Sequence, residues 1–331
     1  MKSLYRLKNI EFNYKKDFSF NISNLEINKS KITGFIGPNG SGKTTLLNLL
    51  SFLNLPHSGD IFFDDIELSK NNIKEFRKTV GYVQQNPYLF RSTVFHNIEI
   101  GLKINHVDRK KRKQKVNEIL SLLRIEHLSN RFAPSLSSGE ARKVAIGQVM
   151  VLEPTVLVMD EPFSNLDENS VLDLEELIVF LKEKLDKTII FTTHDQIQAQ
   201  KLTSCIHSLV KGRLFSTHLI NLFRGKFDES KNVFNTGKQE IITLETIDNA
   251  EYVAIDPRQI VLSLEKLDSS MQNSFYGKIT GMTESNNSVH LNVDIGEKIQ
   301  TVITRKAFNE LKLSLNMSVW VSFKSTSVMI F

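Results

Sequence analysis

Gly37-Pro38-Asn39-Gly40-Ser41-Gly42-Lys43-Thr44-Thr45 follows the apolar run Ile32-Thr33-Gly34-Phe35-Ile36 and precedes a segment of helical periodicity at 44–53. A loop of the form G-x-x-x-x-G-K-[ST] between a buried strand and a helix curls its backbone N–H groups around phosphate. Lys43 then supplies charge at the β/γ position, the Thr44 hydroxyl a magnesium ligand, and the helix start a partial positive charge. A glycine-rich turn before an ordinary helix has no need of this full set in this context. The stretch therefore predicts a nucleotide site, with residues 37–45 as its cradle.

A second chemical element lies downstream. Asp160 and Glu161 directly follow Val156-Leu157-Val158-Met159, four apolar residues that read as a buried strand. Both carboxylates are then expected at the carboxyl end of that strand, where open α/β sheets bind their ligands. In a phosphoryl-transfer site Asp160 would hold magnesium and Glu161 would polarise the attacking water. A surface Asp-Glu pair is the plainer alternative, and the apolar run argues against it.

Around these motifs the chain alternates short apolar runs with helical segments, the pattern of a layered α/β domain. Strands are predicted at 32–36, 79–83, 156–159 and 188–191, and helices at 44–53, 109–124 and 171–185. Beyond Gly225 the texture becomes short alternating segments such as Val289-His290-Leu291-Asn292-Val293 and Val319-Trp320-Val321-Ser322-Phe323, separated by Gly and Asn turns. These predict a small antiparallel β-barrel. The expected organisation is an ATP-binding domain at 1–225, a polar linker at 226–237 and the barrel at 238–331.

The 331 residues accommodate two such domains, and 40% hydrophobic with 24% charged residues excludes a largely disordered or fibrous chain. The net charge of +5 suits anionic ligands or surfaces without choosing among them. A single cysteine, Cys205, excludes an intramolecular disulfide, and no Cys/His spacing suggests zinc, so a reducing compartment is expected. The amino terminus reads as neither signal peptide nor membrane span. Arg109, Lys110, Lys111, Arg112, Lys113 and Lys115 crowd one predicted helix. A solvated face is the simple account of that cluster, and proximity to anionic lipid the sharper one.

With these residues in hand, the chain resembles the ATP-binding subunits of ATP-binding-cassette (ABC) transporters over residues 4–222. Five further elements occur in the family's order. Tyr14 stands where the family stacks a ring on adenine. Gln85, in Val83-Gln84-Gln85-Asn86-Pro87, matches the glutamine that senses the γ-phosphate and magnesium and contacts the membrane partner. Leu136-Ser137-Ser138-Gly139-Glu140 matches the signature. Ser164-Asn165-Leu166-Asp167 matches the dimer-contact loop, and His194 the switch histidine. The resemblance implies a P-loop ABC ATPase domain with a helical subdomain, which takes ATP and Mg2+. It also implies a head-to-tail dimer in which Ser137 and Gly139, at the start of a helix expected at 141–152, cap the ATP of the second copy. Lys43, Gln85, Glu161 and His194 are the implied catalytic set, and Thr44, Gln85 and Asp160 the implied magnesium set.

Two positions depart from the family pattern. Ser138 replaces the first signature glycine, and Gln148 stands at or near the place of an arginine in the following helix.

From about Asp256 onward the chain resembles the OB-like accessory (TOBE/MOP-type) barrel of importer ATPases. The segments Asp256-Pro257-Arg258-Gln259-Ile260-Val261-Leu262-Ser263 and Ser269-Ser270-Met271-Gln272-Asn273-Ser274-Phe275-Tyr276-Gly277-Lys278-Ile279 carry that likeness. Gln272 replaces an arginine common in the molybdate-binding version, and Ser270, Asn273 and Lys278 are the remaining candidate donors to an oxyanion. The resemblance implies an importer motor at the cytoplasmic face of the membrane, working with transmembrane permease subunits and indirectly with an extracytoplasmic solute-binding protein. Tungstate or molybdate is the expected cargo, and sulfate, phosphate, iron, sugar or polyamine the alternatives. A soluble cassette ATPase acting on nucleic acid or ribosomes is the reading from another class. A single cassette and a barrel without exposed aromatics among basic residues disfavour it, so no nucleic-acid partner is expected.

Overall fold

The computed structural model describes residues 2–13, 19–215, 221–228, 231, 233–244, 250–285 and 288–330, which divide into two compact units, Met1–Leu214 and Phe215–Phe331. The first unit is built on a ten-stranded sheet. Its strands are β1 (Ser3–Asn13), β2 (Ser19–Asn28), β3 (Ile32–Ile36), β4 (Ser58–Phe63), β5 (Ile66–Glu67), β6 (Val80–Val83), β7 (Val156–Met159), β8 (Thr188–Thr193), β9 (Ile206–Val210) and β10 (Arg213–Phe215). They lie in the order β5-β4-β1-β2-β10-β9-β3-β8-β7-β6. The helices are α1 (Lys43–Leu50), α2 (Ile73–Thr79), α3 (Val94–Ile104), α4 (Arg109–Leu122), α5 (Ser138–Met150), α6 (Glu168–Leu185) and α7 (Gln196–Leu202).

The parallel strands β3, β7 and β8 are buried on both faces, as parallel strands covered by helices must be. Their side chains alternate between two cores. Leu157 and Met159 pack with α3 to α6, while Val156 and Val158 pack with α1, α2 and the antiparallel strands. The register aligns the carboxyl ends: Ile36 lies beside Thr193, Met159 beside Phe191, and Val83 beside Met159. The loops that follow β3, β6, β7 and β8 therefore emerge side by side along one edge of the sheet, and they carry the P-loop, Gln85, Asp160-Glu161 and His194.

The second unit is antiparallel throughout. It comprises β11 (Asn221–Arg224), β12 (Lys226–Asp228), β13 (Val233–Asn235), β14 (Glu240–Ile242), β15 (Tyr252–Ile255), β16 (Val261–Ser263), β17 (Asn273–Ser285), β18 (Ser288–Asp294), β19 (Lys298–Thr304), the short α8 (Arg305–Glu310), β20 (Ser318–Phe323) and β21 (Val328–Ile330). A five-stranded sheet, β16-β20-β17-β18-β19, and two three-stranded ones, β11-β15-β21 and β12-β13-β14, surround one core that includes Phe234, Val253, Ile279, Leu291, Val321 and Phe323.

The polar stretch 226–237 is not a linker. Lys226 pairs with Asn235 and Asp228 with Val233, and the strand Val233–Asn235 pairs onward with Glu240–Ile242. Phe234 is wholly buried, so one aromatic anchors a stretch whose composition reads as solvent-exposed.

Candidate functional site

Each group of the site is placed by a local rule. Gly40 and Gly42 take φ of 78° and 102°, left-handed values that glycine adopts without a Cβ penalty. A Cβ on Gly37 would lie 2.1 Å from the Leu209 carbonyl oxygen, so the loop can pass β9 only as glycine. Gly42 caps α1, and Lys43 and Thr44 form its first turn. Lys43 is buried, and its ammonium donates to the carbonyls of Gly37 at 2.9 Å and Pro38 at 3.2 Å.

Lys43 also pairs with Glu161 Oε1 at 3.1 Å, which joins the P-loop to the end of β7. The other carboxylate oxygen of Glu161, Oε2, accepts from Gln85 Nε2 at 3.4 Å and lies 3.2 Å from His194 Nδ1. One buried carboxylate thus meets three side chains from the loops after β3, β6 and β8. Asp160 accepts from the Thr44 hydroxyl at 2.7 Å on Oδ2, where Tyr82 OH is at 3.5 Å. The sequence-predicted residues Lys43, Thr44, Gln85, Asp160, Glu161 and His194 come together. Asn39, Gly40, Gly42, Lys43, Thr44, Thr45, Gln85, Asp160 and Glu161 line a cleft of about 420 Å³. Tyr14 lies outside the described residues.

Sequence reasoning missed Thr192. Its hydroxyl donates to Asp160 Oδ1 at 2.6 Å and accepts from Glu161 N at 2.9 Å. Glu161 has φ of 41°, a conformation that costs a non-glycine residue about 1–3 kcal/mol and persists only where its surroundings enforce it. The Thr192 bond to its amide is part of that enforcement. Nothing in a strand read as Thr-Ile-Ile-Phe-Thr-Thr marks this threonine out.

Ser137 and Gly139 stand elsewhere and line no part of the P-loop cleft. Ser137 caps α5 in a capping box: its Oγ accepts from Glu140 N at 3.2 Å, and Glu140 Oε2 accepts from Ser137 N at 2.8 Å. The helix accordingly starts at Ser138, three residues before the sequence-based expectation. Ser137 and Ser138 are exposed, whereas Gly139 is buried, and a Cβ there would come within 2.4 Å of Ser170 Oγ on α6. The loop Ser164-Asn165-Leu166 lines a second cleft, of about 620 Å³, with Glu161 and His194.

The basic cluster of α4 is partly paired. Arg112 bonds Glu99 at 2.8 Å, and Lys115 bonds Glu153 at 2.9 Å. In the second unit Asn273 is 1% exposed, with Oδ1 accepting from Ile242 N and Nδ2 donating to Ile242 O. Asn273 therefore pins β17 to β14 and is no donor to an oxyanion. Ser270 and Lys278 are exposed.

The donor set fits magnesium with a nucleotide. Thr44 and Asp160 place a hydroxyl and a carboxylate oxygen 2.7 Å apart beside the phosphate cradle, and magnesium characteristically takes one or two carboxylates and completes its shell with phosphate and water.

Comparison with known proteins agrees with this geometry. A family profile described as ABC transporter matches residues 20–164, and one described as TOBE domain matches 269–330. The putative ABC transporter ATP-binding protein MJ1572 of Methanocaldococcus jannaschii is 35% identical over 238 residues, covering 69% of this chain and 84% of that protein. The molybdate/tungstate import ATP-binding protein WtpC of Pyrococcus abyssi is 29% identical over 99% of this chain and all of its own. The sulfate/thiosulfate import ATP-binding protein CysA of Mesostigma viride is 28% identical over 93% and 92%. Among solved structures, cbiO1 of Clostridium perfringens, part of the ABC transporter complex cbiONQ, aligns with a TM-score of 0.61 at 29% identity, covering 65% of this chain and 88% of its own. The dimeric bacterial cassette MJ0796 aligns with a TM-score of 0.57 at 26% identity, covering 64% and 96%. A P-loop, an Asp-Glu pair and a signature helix on this sheet, followed by a TOBE domain, make the chain a member of the ABC transporter ATP-binding protein family.

Proposed function

We propose that the chain is the ATP-hydrolysing motor of an importer for a tetrahedral oxyanion, with tungstate or molybdate as the cargo. The convergence of Lys43, Gln85 and His194 on the Glu161 carboxylate carries the hydrolytic reading. Lys43 can exchange its carbonyl partners for the β- and γ-phosphates of ATP, because an ammonium is satisfied by either set of oxygens. Magnesium bound at Thr44 and Asp160 would neutralise charge developing on the phosphates. Glu161 orients and polarises the attacking water, and Gln85 and His194 hold that carboxylate from two sides. Tyr14 is proposed to stack on the adenine.

Ser137 and Gly139 stand at the start of α5, where the Ser138 and Gly139 N–H groups lie outside the intrahelical ladder, a receptive end for phosphate. Because they lie outside their own chain's cleft, we assign them to the ATP of a second copy in a head-to-tail dimer. Tyr88 and Phe90, 73% and 43% exposed, follow Gln85 closely and offer an apolar face suited to a permease at the cytoplasmic side of the membrane. No described helix is long and apolar enough to cross a membrane itself. The full-length likeness to a molybdate/tungstate ATPase and a sulfate/thiosulfate one supports an oxyanion cargo, delivered by a permease and an extracytoplasmic binding protein.

The test is uptake by the cell that encodes the chain. Lys43→Ala should abolish ATP hydrolysis by the purified protein and stop accumulation of radiolabelled tungstate and molybdate. Loss of sulfate uptake alone would reassign the cargo, and normal uptake of all three anions would refute the oxyanion reading.

A further inference from the structure

Arg142 lies in the second turn of α5 and is 5% exposed. Its Nη1 donates to the Gln84 carbonyl at 2.9 Å and its Nη2 to the Gln85 carbonyl at 2.7 Å, while Nε has no partner. Among the described residues no ion pair involves it. Burial pulls the guanidinium below its ordinary pKa, and the charge of Asp160 pushes it back up. A buried cation held by neutral carbonyls is costly to keep, so its geometry calls for an explanation. The planar fork fixes two consecutive carbonyls at once, and with them the peptide that carries Gln85.

The same helix grips the far end of this loop. Gln148 donates to Asn97 Oδ1 at 3.3 Å, and the wholly buried Asn97 accepts from Phe90 N at 2.8 Å and donates to the carbonyls of Phe90 and Thr93. Helix α5 therefore holds both ends of the segment 84–93, while its own first turn carries Gly139 behind the Ser137 cap.

We propose that Arg142 is a positioning residue for hydrolysis: it ties the helix start that carries Ser137 and Gly139 to Gln85, and through Gln85 to the Glu161 carboxylate. Displacement of the signature end of α5 is thereby felt at the chain's own hydrolytic carboxylate. This rests on the hydrolytic reading of Glu161 given above.

The test uses the full-length protein with Arg142→Lys, which keeps the charge and loses the fork, and Arg142→Gln. Arg142→Lys should lower kcat about tenfold while KM for MgATP stays within about twofold, the split expected of an interaction acting on the chemical step. In a Gln85→Ala background the same change should alter kcat by less than about twofold, because the residue through which it acts is gone. Backbone hydrogen exchange should quicken in the segment 84–93 and stay unchanged in 37–45. An unaltered kcat, an equal loss in the Gln85→Ala background, or unaltered exchange in 84–93 would each overturn the proposal. Should Arg142→Gln fail to fold, Arg142→Lys still decides it. Lys43→Ala assayed in parallel tests the hydrolytic reading separately, and the exchange measurement tests the Arg142 clamp even where that reading fails.

Discussion

Thr192 donates its hydroxyl to Asp160 at 2.6 Å and takes the Glu161 amide as its own donor at 2.9 Å, so one buried side chain holds both the Asp160 carboxylate and the Glu161 backbone at the end of β7. The two acidic residues emerge from one strand, but their orientation is fixed by the next.

Thr192→Val keeps the shape of the side chain and removes both bonds. It leaves a buried amide without an acceptor and a carboxylate short of one donor, a loss of about 1–3 kcal/mol for each unsatisfied group. Urea unfolding should show destabilisation of that order, and ATPase activity should fall as the Glu161 backbone relaxes. Equal stability and activity would show that Thr192 is merely packed.

Gly139 allows α5 and α6 to approach closely. Gly139→Ala places a methyl 2.4 Å from Ser170 Oγ, which itself bonds Asp167 Oδ2 at 2.7 Å. Thermal unfolding should show a loss of about 1–3 kcal/mol from overpacking, and Gly139→Ala with Ser170→Gly should recover most of it. No recovery in the double variant would place the effect elsewhere.

Asp167 caps α6 by accepting from Ser170 N at 3.0 Å, and its bonds to the backbone and hydroxyl of Ser170 lower its pKa from the ordinary 3.8. A carboxyl depressed by folding stabilises the folded state above its unfolded pKa, and this contribution fades as pH falls through the lower folded value. The Tm difference between wild type and Asp167→Ala should be full at neutral pH and shrink below about pH 4, where the side chain begins to take up its proton. A difference independent of pH would mean that the charge of the cap contributes nothing.

Much of this was legible in the sequence because it is local. The P-loop lies within nine consecutive residues, and the Asp-Glu pair is announced by the four apolar residues before it. The capping box of Ser137 and Glu140 was equally local, and its S-x-x-E spacing gives the start of α5, three residues before the helix start expected from the signature. What stayed hidden depends on distant pairing. Thr192 reaches Asp160 across 32 positions, and Arg142 reaches Gln85 across 57, through contacts that only the sheet and helix packing create. The strands Lys226–Asp228 and Val233–Asn235 are three residues each, too short for alternation to rise above a polar background. Asn273 looked like a ligand donor for the same reason, since its partner Ile242 lies 31 positions away.

The most direct test of the central claim is steady-state phosphate release by the purified full-length Glu161→Gln protein beside wild type, with ATP binding measured on the same samples. The amide preserves the size of the side chain and its place beside Lys43, Gln85 and His194, but it cannot serve as a base. Release should fall by about 10²-fold or more while ATP is still bound, consistent with loss of general-base assistance. Release within about twofold of wild type would contradict the assignment of Glu161, and with it the hydrolytic centre on which the account rests.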